Sequence, residues 1–173
     1  NEVLGLLDVK PEMRVIDYFS GGGYYTEILS RVVGPEGQVI AYNNEPYLKY
    51  AANKPTERYG NERLPNVAQL KAAPEQLPLE PEGGDAALIV NAYHDLHWVS
   101  KDGSWPSTDP KAALEKLAAA LKPGASVVVV DHVAQPGAGS RIQIVRERMS
   151  VTWTMNGPHT EVQDSAVVCE VVS

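Results

Sequence analysis

Five β-rich runs alternating with helix-like stretches constrain this chain more than any other feature of its sequence. The runs are residues 13–19 (MRVIDYF), Gln38–Tyr42, Val67–Lys71, Asp85–Asn91 and Ser126–Asp131. Most are short and apolar, as strands covered on both faces are; Val67–Lys71 is the most polar of them. After the first run, Tyr25, Ile28, Leu29 and Val32 fall at i, i+3, i+4, i+7 and predict one face of a helix, stopped by Gly34-Pro35. Glu45-Pro46 opens a second helix, which Pro55 should end or kink. Asp109 caps a third, with Pro110 in its first position, Leu114, Leu117 and Leu121 as its buried stripe and Pro123-Gly124 closing it. Strand, helix, strand, helix at this spacing predicts parallel strands joined by right-handed crossovers. The fold class is α/β, a doubly wound, mostly parallel sheet with helices on both faces.

At 173 residues the chain suits a single domain, 1–173, and 43% hydrophobic with 21% charged residues argues against disorder. No apolar run approaches the ~18–20 residues of a membrane helix, and the longest resemble Val127–Val130, so no membrane partner is expected. Lys and Arg number 15 against 22 Asp and Glu, a net charge of −7 that repels phosphate backbones, so no nucleic-acid partner is expected. One cysteine, Cys169, excludes an internal disulfide and a multi-cysteine zinc site. The chain opens on Asn1 inside an apolar pattern and reads as a fragment or processed product, from which a targeting signal is already lost if there was one. The cytoplasm is the default compartment, and the oligomeric state is left open.

In open parallel sheets, ligands bind beyond the carboxyl ends of the strands, where the strand order reverses. The first strand runs into Ser20-Gly21-Gly22-Gly23, where missing side chains let the backbone approach a ligand and the next helix offers unpaired N–H groups. A tight turn without a ligand is the plain alternative. The dinucleotide pattern G-x-G-x-x-G does not fit, because Thr26 stands where its third glycine belongs.

The stretch VIDYFSGGGYYTEIL resembles the first motif of class I S-adenosylmethionine-dependent methyltransferases, an acidic residue followed by h-G-x-G-x-G. Asp17 takes the acidic place, and Gly21 and Gly23 take the last two glycines. Phe19 replaces the first, so its ring must turn away from the methionine part of the cofactor or narrow the site. LAAALKPGASVVVVDH resembles the helix, L-K-P-G turn and fifth strand of the same superfamily. GGGYYTE, NAYHDLHW and DHVAQPGAGSR together resemble a bacterial group of small methyltransferases, over Glu2 to Arg141.

The resemblance implies a Rossmann-like sheet holding S-adenosylmethionine over Ser20, Gly21, Gly22 and Gly23, with Asp17 supporting the turn. The carboxylate that accepts the ribose hydroxyls is replaced by Asn43, with Asn44 and Glu45 beside it; a polar turn with an asparagine capping the next helix is the plain alternative. The acidic adenine partner maps to Ala73, followed by Pro74, which has no N–H to give. Glu75 is the nearest substitute. Asn91 lines the methionine side, but Ala92, Tyr93 and His94 depart from the Asn/Asp-Pro-Pro-Tyr of base and amide methylation.

His94, Asp95 and His97 crowd the end of the fourth strand. Methyl transfer asks an enzyme mainly to align donor and acceptor, and an acceptor that sheds a proton also needs a base, which suits His94 or His97 with Asp95 orienting or capping. The alternative is a capped short helix with rings packed over the sheet. No second ligand cluster accompanies these residues, so no metal is expected. Asp131 and His132 form a further polar wall or an ordinary strand end. Trp105 lies in the loop Ser100–Thr108, either a lid over an apolar acceptor or an anchor pinning that loop.

After Arg141 the resemblance fades. Ile142, Val145 and Met149 suggest a helical face, Val151–Met155 a strand, Asn156-Gly157 a turn and Ala166–Val172 a last strand. Either these complete the sheet, or its C-terminal part is incomplete and Val167–Val172 is an exposed edge. The sequence thus points to methyl transfer onto a small-molecule acceptor. Its rivals are a nucleoside-binding module of the same fold that has lost turnover and, less favoured, an NAD(P)-dependent reductase.

Overall fold

The computed structural model describes residues 2–60, 62–132, 149–154 and 164–171. Helix α1 (Glu2–Leu7) leads into β1 (Arg14–Tyr18), α2 (Tyr24–Val33), β2 (Gln38–Asn43), α3 (Glu45–Ala51), α4 (Lys54–Tyr59) and β3 (Val67–Lys71). A 3-10 turn at Pro74–Gln76 precedes β4 (Gly84–Val90), and a second at His94–His97 precedes α5 (Pro110–Ala120). Strands β5 (Leu121–His132), β6 (Met149–Thr154) and β7 (Asp164–Val171) follow. All seven strands form one sheet in the order β3-β2-β1-β4-β5-β7-β6. Strands β1 to β5 pair in parallel, while β7 runs antiparallel to both β5 and β6. The order reverses between β1 and β4, so the ligand crevice of such a sheet lies over the carboxyl ends of these two strands.

Alternation along the strands builds a core on each face. Val15, Val39, Leu88 and Val128 pack against Leu7 of α1 and Leu29 and Val33 of α2. Ile16, Ile40, Ile89 and Val127 point the other way, against Leu114 and Leu117 of α5. Helix α5 starts as its sequence requires: Asp109 Oδ1 accepts from the N–H groups of Lys111 (2.9 Å) and Ala112 (3.2 Å), with Pro110 in the first position.

Several elements differ from the sequence expectation. The buried stripe of α2 is Thr26, Leu29, Ser30 and Val33, rotated from the apolar set because the two hydroxyl residues are buried with bonding partners. Thr26 Oγ1 donates to Asp17 Oδ2 (2.6 Å), and Ser30 Oγ to Asn66 Oδ1 (2.6 Å). The helix opened by Glu45-Pro46 stops at Ala51, and Pro55 then sits in the first turn of the separate α4, where a missing N–H costs nothing. Leu121 belongs to β5, pairing with Gly84, and the L-K-P-G turn bulges before the register resumes at Ala86 and Ser126. Met149 lies in strand β6, not a helix; Ile142, Val145 and the Asn156-Gly157 turn lie outside the described residues. Among the described residues, β6 and β7 extend the sheet to seven strands, and β7 is paired on both sides, so Val167–Val171 is not an exposed edge.

Candidate functional site: a glycine turn and a histidine edge

Between β1 and α2 the backbone turns through three left-handed residues, Phe19 (φ 56°), Gly21 (φ 54°) and Gly23 (φ 77°). The two glycines serve different needs. A Cβ added at Gly23 would lie 2.3 Å from Tyr59 Cε1, so the ring of Tyr59 requires that glycine. A Cβ added at Gly21 would meet nothing within 4 Å, so the turn is open there. Gly22 lies under the aliphatic stem of Lys54, and Arg58 Nε donates to its carbonyl (2.9 Å). Helix α4 thereby clamps the turn. Its Arg58 joins Arg31 and Arg63 around Glu27, whose carboxyl these guanidinium groups hold at about 2.

The turn is braced from below. Ser20 N–H donates to the carbonyl of Tyr42 (3.0 Å), and Gly23 N–H to that of Ser20 (2.9 Å). Asn43 holds it with both ends of its amide: Oδ1 accepts from Gly21 N–H (2.9 Å), and Nδ2 donates to Ser20 Oγ (2.8 Å). Asp17 is buried behind the turn and accepts from Thr26. Burial pushes its carboxyl up to about 6, against the opposing effect of the Thr26 hydrogen bonds. Phe19 turns its ring into the core, stacked between Tyr42 (5.4 Å, 21°) and Tyr47 (4.6 Å, 18°). The motif's missing glycine therefore does not place a ring over the turn.

Further along, the predicted cofactor contacts take other partners. Asn44 caps α3, accepting from Tyr47 N–H (2.9 Å), which is the alternative its sequence position offered. Glu45 pairs with Lys71 (2.9 Å) on the surface. Glu75 Oε1 accepts from Asp109 N–H (2.7 Å), tying the Pro74–Gln76 turn to the start of α5. The residues present fit a nucleoside cofactor at the turn itself: Gly21 leaves open space before it, and Gly23, at the start of α2, puts no side chain in the way.

On the other wall of the crevice, Asn91 leaves β4 at φ 50° with its side chain exposed. His94 is held by Asp131 of β5: Asp131 Oδ2 accepts its backbone N–H (2.9 Å), and Oδ1 lies 2.8 Å from Nδ1. Asp95 is bonded elsewhere, its Oδ2 accepting from Tyr47 Oη at 2.5 Å. In the sheet order β2-β1-β4, a contact from α3 to the His94–His97 turn passes over the end of β1. Tyr47 makes that crossing, stacked on Phe19 and meeting Trp105 edge-on (5.2 Å). Trp105 Nε1 donates to the Asp95 carbonyl (3.1 Å), so the loop after the turn is pinned to the edge. His97 is exposed and packs edge-on to Tyr93 (5.3 Å). Trp98 and Val99 are 50% and 54% exposed beside it. Among the described residues, no group of three His, Cys, Asp or Glu side chains is placed to hold a metal ion, and no helix is long and apolar enough to cross a membrane.

The structure brings Asp17, Ser20, Gly21, Gly22, Gly23 and Asn43 together at the turn, and His94, Asp95 and His97 at the edge. Sequence reasoning missed Tyr47, which links the two, and the clamp of Lys54, Arg58 and Tyr59. The only local signal was Tyr47 three residues after a helix cap.

The chain is similar to known proteins in sequence and in fold. Residues 1–73 match the model of the protein-L-isoaspartate(D-aspartate) O-methyltransferase family. The ubiquinone/menaquinone biosynthesis C-methyltransferase UbiE of Idiomarina loihiensis is 29% identical over 124 residues, 71% of this chain and 44% of that protein. Its counterpart from Shewanella oneidensis is 28% identical over 123 residues, covering 70% and 43%. The chain thus spans less than half the length of these curated relatives. A crystal structure of a SAM-dependent methyltransferase from Aquifex aeolicus aligns with a TM-score of 0.71 and 25% identity, over 99% of this chain and 88% of that one. The family match, the sequence relatives and the fold alignment together place the chain in the class I S-adenosylmethionine-dependent methyltransferase superfamily.

Proposed function

We propose that this chain, acting as one domain, is an S-adenosylmethionine-dependent methyltransferase that adds a methyl group to a carbon atom of a small, ring-bearing acceptor. The observation that carries the reading is the glycine turn at the β1/β4 reversal, open at Gly21, with the His94–Trp98 edge as the opposite wall of the crevice. S-adenosylmethionine supplies an electrophilic methyl group on a sulfonium. The chain's own residues would hold it by the backbone of Ser20–Gly23, with Asp17 and Asn43 keeping that backbone in shape. The exposed Trp98 and Val99 offer an apolar wall on which a flat ring can lie, and the crevice fixes its approach to the turn. C-methyl transfer is favoured over other acceptors because the curated relatives are named as quinone-pathway C-methyltransferases.

A second reading is a nucleoside-binding module without turnover. It is favoured by the engagement of Asn43 and Glu75 within the protein, where a conventional site presents carboxylates to ribose and adenine. Calorimetric titration with S-adenosylhomocysteine, with NADH and NADPH as controls, tests both. Transfer of labelled methyl from S-adenosylmethionine to reduced 1,4-dihydroxynaphthalene then separates them. Micromolar binding of S-adenosylhomocysteine alone, with a new carbon-bound methyl group, is the expected result. Binding without transfer to this or to phenol and amine probes supports the module, and no binding by the folded chain overturns both.

A further inference from the structure

We propose that Asp131 is the positioning residue that makes His94 the proton acceptor of the reaction, through Nε2; the inference rests on the methyltransferase reading above. Asp131 and His94 come from neighbouring strand ends. Strands β4 and β5 pair in parallel with Val90 opposite Val130, so the chain segments that follow leave the sheet side by side. Asp131 grips His94 at two points, the backbone N–H (2.9 Å) and ring Nδ1 (2.8 Å). The first contact fixes where the residue sits, and the second fixes how its ring is turned. An ionised carboxylate only accepts hydrogen bonds, so Nδ1 carries the hydrogen and the basic lone pair lies on Nε2.

Asp95 is the nearer carboxylate in sequence and the obvious rival for the same ring. A short bond from Asp95 to Nε2 would favour the opposite tautomer and remove the basic nitrogen. Tyr47 prevents this. Its hydroxyl takes Asp95 Oδ2 at 2.5 Å, and Oδ1 stays 3.5 Å from Nε2, too long for a strong hydrogen bond. The two carboxylates therefore have different tasks, one orienting the ring and the other tying α3 and Trp105 to the edge. Exposure agrees: the His94 side chain is 52% exposed, while the Asp131 side chain behind it is 12% exposed. In the step itself, the acceptor carbon gains the methyl group and the electron pair of the broken bond stays with the cofactor's sulfur. The proton shed by that carbon passes to Nε2, and the Nδ1–H bond to Asp131 persists throughout.

The test uses the full chain and two independent readouts. Long-range proton–nitrogen NMR, assigned with His94→Gln, reports the tautomer at about pH 8, where an ordinary imidazole is neutral. The Nδ1–H form is expected in the wild type. In Asp131→Asn, whose amide can donate to Nδ1, the Nε2–H form should gain. Methyl transfer to 1,4-dihydroxynaphthalene should fall in kcat by about 10²-fold or more in Asp131→Asn, with the S-adenosylhomocysteine Kd unchanged and partial rescue in Asp131→Glu. The Nε2–H form in the wild type, or an Asp131→Asn enzyme with wild-type kcat, overturns the inference. If the wild type fails to bind S-adenosylhomocysteine, the methyltransferase reading falls and the base role with it, while the spectra still report which carboxylate orients His94. If it binds but transfers nothing to the probe, the tautomers of wild type and Asp131→Asn decide.

Discussion

Asp17→Asn isolates the cost of the buried carboxylate behind the glycine turn. In the unfolded chain Asp17 ionises near its ordinary 3.8, and in the folded protein burial raises this to about 6. Between those values the folded state binds more protons than the unfolded one, so acid stabilises the fold. The contribution is fully present below the unfolded value and is lost as pH rises through the folded one. At ~1.36 kcal/mol per pH unit, the difference amounts to about 3 kcal/mol of stability given up between pH 4 and pH 7. Asparagine preserves the shape and still offers an oxygen to Thr26 Oγ1, but it does not titrate. Urea unfolding of both proteins across this range, followed by tryptophan fluorescence, should show the variant gaining about 3 kcal/mol on the wild type as pH rises. Comparing the two proteins cancels the other titrating groups, including Glu27, whose lowered carboxyl loses its contribution only as pH falls toward 2. Parallel stability curves would refute the reasoning, because they would mean that Asp17 ionises alike in both states.

Three substitutions test how the turn is built. Gly21→Ala should cost about 1 kcal/mol of left-handed strain, yet sharply weaken S-adenosylhomocysteine binding by calorimetry, since its Cβ enters the open space before the turn. Gly23→Ala should lose more than about 2 kcal/mol in urea unfolding, because its Cβ meets the Tyr59 ring as well as a φ of 77°. Phe19→Gly relieves a strained φ but removes a ring stacked on both sides, so a net loss of about 2–4 kcal/mol is expected, read as a fall in Tm.

Much of the fold was legible because its signals are local. Asp109 starts α5 by accepting from the N–H groups of Lys111 and Ala112, Pro110 has no N–H to satisfy, and Gly34 ends α2 where apolar periodicity stops. Val67–Lys71 was found with the same bounds despite its polar composition. The stripe of α2 was misread because hydrophobicity cannot show that Thr26 and Ser30 will meet Asp17 and Asn66, residues that become neighbours only after the strands pair. Asn43 was recognised as a residue of the site, but its two bonds to the glycine turn depend on the adjacency of β1 and β2.

By itself, the sequence determined a parallel α/β sheet with a glycine turn after its first strand, since periodicity, capping residues and backbone freedom act over a few positions. Tertiary structure alone decided the direction of Phe19, the crossing of Tyr47 over β1 and the placement of Asp131 beside Nδ1 of His94. These are competitions between partners 28 to 48 residues apart. Their winners are set by which strand ends lie side by side, a fact that no local stretch of sequence contains.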